Sequence, residues 1–158
     1  LYENDSGGIR IREVVMVSAH DVAAYILKKH GPLSAMKLQK LVYYAQAWSL
    51  VWDDRQLFAE PIEAWANGPV VRALYDRHRG HFELRDWQWG DAARLDAEAR
   101  ETVDAVLDYY GGRSAQALSD LTHRELPWRE AREGIPDGER GAAPISLATM
   151  SEYYSSLQ

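Results

Sequence analysis

The chain has 158 residues, a formal net charge of -6, 46% hydrophobic and 27% charged residues, and no cysteine. These values fit one domain long enough to bury its own core, and they exclude disulfides, thiolate metal sites and cysteine nucleophiles. The acidic balance argues against nucleic acid as the main ligand, because binding phosphates needs clustered Lys and Arg.

Residues 1–16 differ in character from the rest of the chain and read as a true N-terminal extension, an appended segment or read-through from an upstream segment, with Met16 as a natural start and 17–158 as the globular domain. The alternation from Ile9 to Val15 fits a strand or arm. The opening lacks a basic start followed by an apolar stretch and a small-residue cleavage site, and the longest apolar run is far too short for a bilayer. A soluble, cytoplasmic protein is expected, with no membrane partner.

The first helix is predicted from about His20 to His30, with Ser18 as N-cap, Asp21 completing a capping box and Gly31-Pro32 as the stop. Ser34 caps a second helix, and Leu33 and Leu38 stand at the positions of a hydrophobic staple. Along it Leu38, Leu41, Val42, Ala45, Trp48, Ser49 and Trp52 follow the three-four spacing, while Tyr43, Tyr44, Ala47 and Val51 cover a second face. A helix apolar on more than one side belongs at the centre of a domain.

FAEPIEAWA then reads as an extended segment with Pro61 at an edge, and Asn67-Gly68-Pro69 as a turn into a short helix from Val70 to His78. HFELRDWQW alternates, and is expected either to pair with the extended segment as a hairpin or to lie as an ordered loop. Asp96 caps a helix with Ala99, Val103, Val106, Leu107 and Tyr110 as its buried stripe, and Ser114 caps another carrying Leu118 and Leu121. Pro127 starts a short helix closed by Gly134, IPDGERGAAP reads as a flexible loop, and Ile145 to Leu157 forms a last helix with Met150, Tyr153, Tyr154 and Leu157 inward. The expected fold is mainly α: a compact single-domain helical fold with a central apolar helix and at most a small β-hairpin.

Signs of chemistry are sparse. His78 and His81 have a helical metal-ligand spacing, but Gly80 falls between them and no further ligand completes a set. His123 lies near Asp120 and Glu125, which allows acid-base work, yet no nucleophile motif accompanies it; tying a helix end to the core is the simpler role. The first two helices imitate a helix-turn-helix, but Tyr43, Tyr44 and Trp48 make the second apolar most of the way round, which leaves no face for a DNA groove. All four lysines, Lys28, Lys29, Lys37 and Lys40, fall in one short span. That cluster is compatible with a solvated helix end complementing a dipole, or with a patch for an acidic protein surface. Trp87 and Trp89, beside His78-Arg79-Gly80-His81, either cover the core edge or serve as interface anchors.

Three segments in order carry a family resemblance: DVAAYIL with LSAMKLQKLVYYAQAW, then IEAWANGPV and the Leu74-Tyr75 helix, then THRELPW. Together they resemble the Panacea, or SocA-like, domain of bacterial and phage-borne antitoxins, over about Val17 to Tyr154. The resemblance implies Leu38, Leu41, Tyr43, Trp48, Trp65, Gly68, Pro69, His123 and Trp128 as shared framework. It implies a non-enzymatic antitoxin, without cofactor or metal, that binds a cognate toxin encoded by the adjacent gene, such as an alarmone-synthetase-like toxin. An adaptor delivering the toxin to a cytoplasmic protease, a hydrolase using His123 and Glu125, and a DNA-associated regulator remain as alternatives. A scaffold that meets varied toxins is expected to contact them through surface outside its framework, and the residues assigned to that surface are Lys28, Lys29, Lys37, Lys40, Arg79, Trp87 and Trp89.

Overall fold

The computed structural model describes residues 16–158; the predicted strand or arm from Ile9 to Val15 lies outside them. Among the described residues there are seven α-helices, one 3-10 turn and two small antiparallel sheets, so the mainly α expectation is borne out. None of these helices is long and apolar enough to cross a membrane.

The axis of the fold is α2 (Ala35–Trp52), which contains no Gly or Pro and is started by the Ser34 side chain accepting from the Lys37 N–H. Every residue from Leu38 to Ser49 is buried, because α1 (Ala19–His30), α4 (Ala97–Tyr110), α5 (Ala115–Arg124) and α7 (Leu147–Ser155) pack around it. The predicted caps hold. Ser18 and Asp21 form the full capping box of α1, Gly31 ends it at φ 91°, and Asp96 and Ser114 cap α4 and α5; Ser146, not predicted, caps α7. The Glu60 carboxylate adds a second layer at the start of α1, accepting from Ser18 Oγ and the Ala19 N–H, where the helix dipole favours a negative charge.

A helix buried all round must satisfy its polar side chains internally. Gln46 does so with both ends of its amide: Oε1 accepts from the Leu57 N–H at 2.6 Å and Nε2 donates to the Phe58 carbonyl at 2.7 Å. Gln39 treats Val71 the same way, accepting from its N–H at 2.8 Å and donating to its carbonyl at 3.2 Å. Ser49 Oγ donates to the Arg55 carbonyl.

Two expectations are corrected by the structure. Val70 and Val71 do not open the short helix: β2 (Ile62–Trp65) and β3 (Gly68–Val71) form a hairpin, and only Arg72–His78 is α3. Gln39 takes both backbone groups of Val71, which holds that residue extended and delays the helix by two positions. The segment after α3 does not pair with β2 either; β4 (Glu83–Leu84) pairs with β1 (Leu33–Ser34), just ahead of α2. IPDGERGAAP carries no helix or strand, as composition indicates, and is anchored at several points. The buried Arg132 guanidinium, at the end of α6 (Leu126–Ala131), donates to the carbonyls of Ala64, Pro136 and Glu139, and residues 143–145 run along β2 through Ala64 N–H to Ala143 and Ile145 N–H to Ile62.

Gln46→Leu keeps the volume of α2 but leaves the Leu57 N–H and Phe58 carbonyl buried without partners. Urea unfolding is expected to show a loss of about 3 kcal/mol, whereas Gln116→Ala on the exposed face of α5 shifts stability by no more than about 0.5 kcal/mol.

Candidate functional site

Two concavities lie at opposite ends of α2. The first is a groove of about 560 Å³ between the end of α2, the end of α4 and α7, walled by Trp48, Trp52, Tyr109, Tyr110, Arg113, Arg124, Tyr153 and Leu157. Its floor is an aromatic network: Trp48 Nε1 donates to Tyr110 Oη at 2.9 Å, Tyr110 stacks on Tyr44 at 4.0 Å, and Tyr44 and Tyr154 both donate to Glu125 Oε1 at 2.6 and 2.9 Å. Burial pushes the Glu125 carboxyl above its ordinary range, and the two phenols act against that shift. On the rim, Tyr109 is 60%, Leu157 53% and Trp52 45% exposed, and the Arg113 guanidinium lies over Tyr109 at 5.0 Å. Trp52 and Leu157, placed inward by periodicity, are therefore surface residues: Trp52 is the last residue of α2, and Leu157 lies beyond the end of α7.

The second concavity, about 690 Å³, opens between the start of α2, the β2–β3 hairpin, α3 and residues 140–142; Lys40, Trp65, Arg72, Tyr75, His78, Arg79 and Arg140 are among its walls. Trp65 and Tyr75 meet edge to face at 4.8 Å, and Arg72 lies over Trp65 while its guanidinium is held by the Glu63 carboxylate at 2.8 Å.

The residues expected at a partner surface divide. Lys28 and Lys29 are exposed at the end of α1, with Lys29 3.7 Å from Asp104 of α4. Lys37 Nζ donates to the Gly111 carbonyl at 2.6 Å, and His30 Nε2 is 3.1 Å from the same oxygen. Lys29, Lys37 and Arg113 thus gather at the C-terminal half of α4, where cations also complement the helix dipole. Partial burial lowers the Lys37 pKa. Trp89 is exposed, stands edge-on to Trp87 at 5.0 Å and carries Arg77 over its ring at 5.6 Å. Arg79 lines the second cleft.

Lys40 and Trp87 do not lie on the surface. Trp87 is 4% exposed, its Nε1 donates to His20 Nδ1 and its ring stacks on His20, so it covers the core edge. Lys40 is 1% exposed: its stem passes beneath Gly68, where a Cβ would stand 2.5 Å from Lys40 Cε, and its Nζ donates to the Pro69 carbonyl at 3.2 Å. Gly68 is held at φ 120°, so that position needs glycine for its backbone as well as for the lysine below it. Phe82, 87% exposed, is an apolar surface residue that periodicity placed in a stripe with the buried Leu84 and Trp87. It lies just outside β4, where only its carbonyl is engaged, by the Ala35 N–H.

The pair proposed for hydrolysis does not converge. His123 stacks on Trp128 at 4.0 Å with its Nε2 unpartnered among the described residues, while Glu125 turns into the tyrosine network. His78 Nε2 accepts from Gln39 Nε2 at 3.0 Å, and no cluster of three or more His, Asp or Glu stands ready for a metal among the described residues.

Desolvation lowers the Lys40 pKa from 10.5 to about 8. Below pH 8 the ammonium is charged in both folded and unfolded chains, and its burial cost is fully present. Between about 8 and 10.5 the folded chain has lost the proton and the unfolded chain has not, so stability rises with pH across that window. Compared with Lys40→Met, the wild type is expected to gain up to about 3 kcal/mol between pH 7 and pH 10.5 in denaturant unfolding. A constant difference across that range would show that Lys40 titrates as if exposed.

A family model described as antitoxin SocA-like, Panacea domain, matches residues 38–129, from the first buried leucine of α2 through the hairpin and α4 to the Trp128 corner. No curated protein and no solved structure matches the chain. With more than half of its length matched, the chain belongs to the SocA-like antitoxin family with a Panacea domain.

Proposed function

We propose that this protein neutralises a cognate toxin by binding it directly, and that the surface at the C-terminal end of α4 makes the contact. The observation that carries this reading is the joining of exposed aromatic anchors to a basic cluster on one helix end. Trp52, Tyr109 and Leu157 rim the groove, Arg113 and Arg124 flank it, and Lys29 and Lys37 reach α4 from the neighbouring side. Exposed Trp, Tyr and Arg around a partly desolvated groove is the composition of an interface hot spot. The arginines and lysines, Lys28 included, suit an acidic toxin surface. Trp89 with Arg77 forms a smaller accessory patch.

In this mechanism the antitoxin occludes the toxin's active site or holds it in an inactive conformation, so no reaction is needed. The toxin is the product of the adjacent gene, an alarmone-synthetase-like enzyme being the first class to try, and the complex forms in the cytoplasm.

Co-expression with that gene product is expected to restore growth and yield a complex that survives purification. Trp52→Ala combined with Tyr109→Ala should weaken the complex at least about 100-fold and abolish rescue, with an unchanged circular dichroism spectrum. Charge reversal of Lys28, Lys29 and Lys37 should mainly slow association and flatten its salt dependence. Unchanged affinity in both variants would refute the assigned surface. Rescue with loss of the toxin from cells and no stable complex would favour delivery to a protease.

A further inference from the structure

The cleft beside the hairpin has a charge opposite to that of the protein: Lys40, Arg72, Arg79, Arg140 and His78 line it, and no Asp or Glu does. Arg72 is neutralised by Glu63, but Arg79 and Arg140 make no ion pair among the described residues. Lys40 is the unusual member. The residue is 1% exposed, and its ammonium, with three donors, has a single acceptor among the described residues, the Pro69 carbonyl. A buried charge met by one neutral carbonyl is poorly compensated, and an anion in the cleft would supply what is missing. Trp65 and Tyr75, both half-buried, add aromatic side chains to the lining. A volume of about 690 Å³, with aromatic walls and a few convergent polar groups, is that of a small-molecule site.

We infer that this cleft binds a small organic phosphate, its phosphate groups at Lys40, Arg79 and Arg140 and its flat organic part against Trp65 and Tyr75. The depth of Lys40 favours a slim ligand over the surface of a folded partner. The cleft shares no lining residue with the aromatic groove, so this inference goes beyond toxin binding and does not depend on it.

Isothermal titration of the full chain at low salt, with ATP and tripolyphosphate as probes, tests the inference. ATP is expected to bind, and to bind more tightly than tripolyphosphate. Arg79→Gln and Arg140→Gln, both at exposed positions, should each weaken ATP about ten-fold, and Arg85→Gln, outside the cleft, should leave it unchanged. Absence of heat with both probes, or equal affinity in wild type and Arg140→Gln, overturns the site. Equal affinity for the two probes overturns the role of Trp65 and Tyr75. Binding of a glutamate-rich peptide where ATP does not bind overturns the small-molecule assignment in favour of a protein segment. Toxin binding measured on the same arginine variants separates the two readings, because the groove is intact in both.

Discussion

A helix buried on every side can carry polar residues only if each reaches a partner inside the protein, and that requirement organises this fold. Along α2 the partners are segments far apart in sequence. Gln39 and Lys40 hold the hairpin through Val71 and Pro69, Gln46 holds the strand-like turn at Leu57 and Phe58, and Tyr44 holds Glu125 at the junction of α5 and α6. Each of these bonds does for an irregular segment what a neighbouring strand would do in a sheet. The hydrophobic residues between them supply the driving force for burial, and the polar ones decide which segment lies where.

Much of this was legible in the sequence wherever local chemistry decides structure. The caps Ser18, Ser34, Asp96 and Ser114 mark helix starts through side chains that bond within three residues, and the all-round apolar character of α2 announces its central place. Long-range contacts were not legible. Val70 and Val71 carry no local signal that Gln39, more than thirty positions earlier, will claim a backbone pair there. Lys40 reads as a surface charge because lysine is rarely buried, and only the glycine stacked over its stem makes room for it. Trp87 and Trp89 share one alternating pattern, yet the first is buried, bonded to and stacked on His20, and the second is at the surface.

The two concavities draw on opposite ends of the same helix. Trp48 and Trp52 wall the groove, and Gln39 and Lys40 wall the cleft, so a single helix separates an aromatic concavity from a cationic one. Trp48 walls the one and Trp65 the other, with Gly68 and Pro69 packed against the lysine beside Trp65. Surface residues around those walls are free to differ without disturbing the helix beneath.

The hairpin is closed along both sides. Ala64 and Ile62 are engaged by Ala143 and Ile145 on the outer side; on the inner side Val71 is taken by Gln39, and Pro69 has no N–H to offer and gives its carbonyl to Lys40. A strand with unpaired backbone is a template onto which other chains add, productively in peptide recognition and harmfully in aggregation. This sheet offers neither opportunity. With its main-chain groups already engaged, any recognition at this hairpin falls to side chains, which can be exchanged one at a time without reopening the backbone pairing.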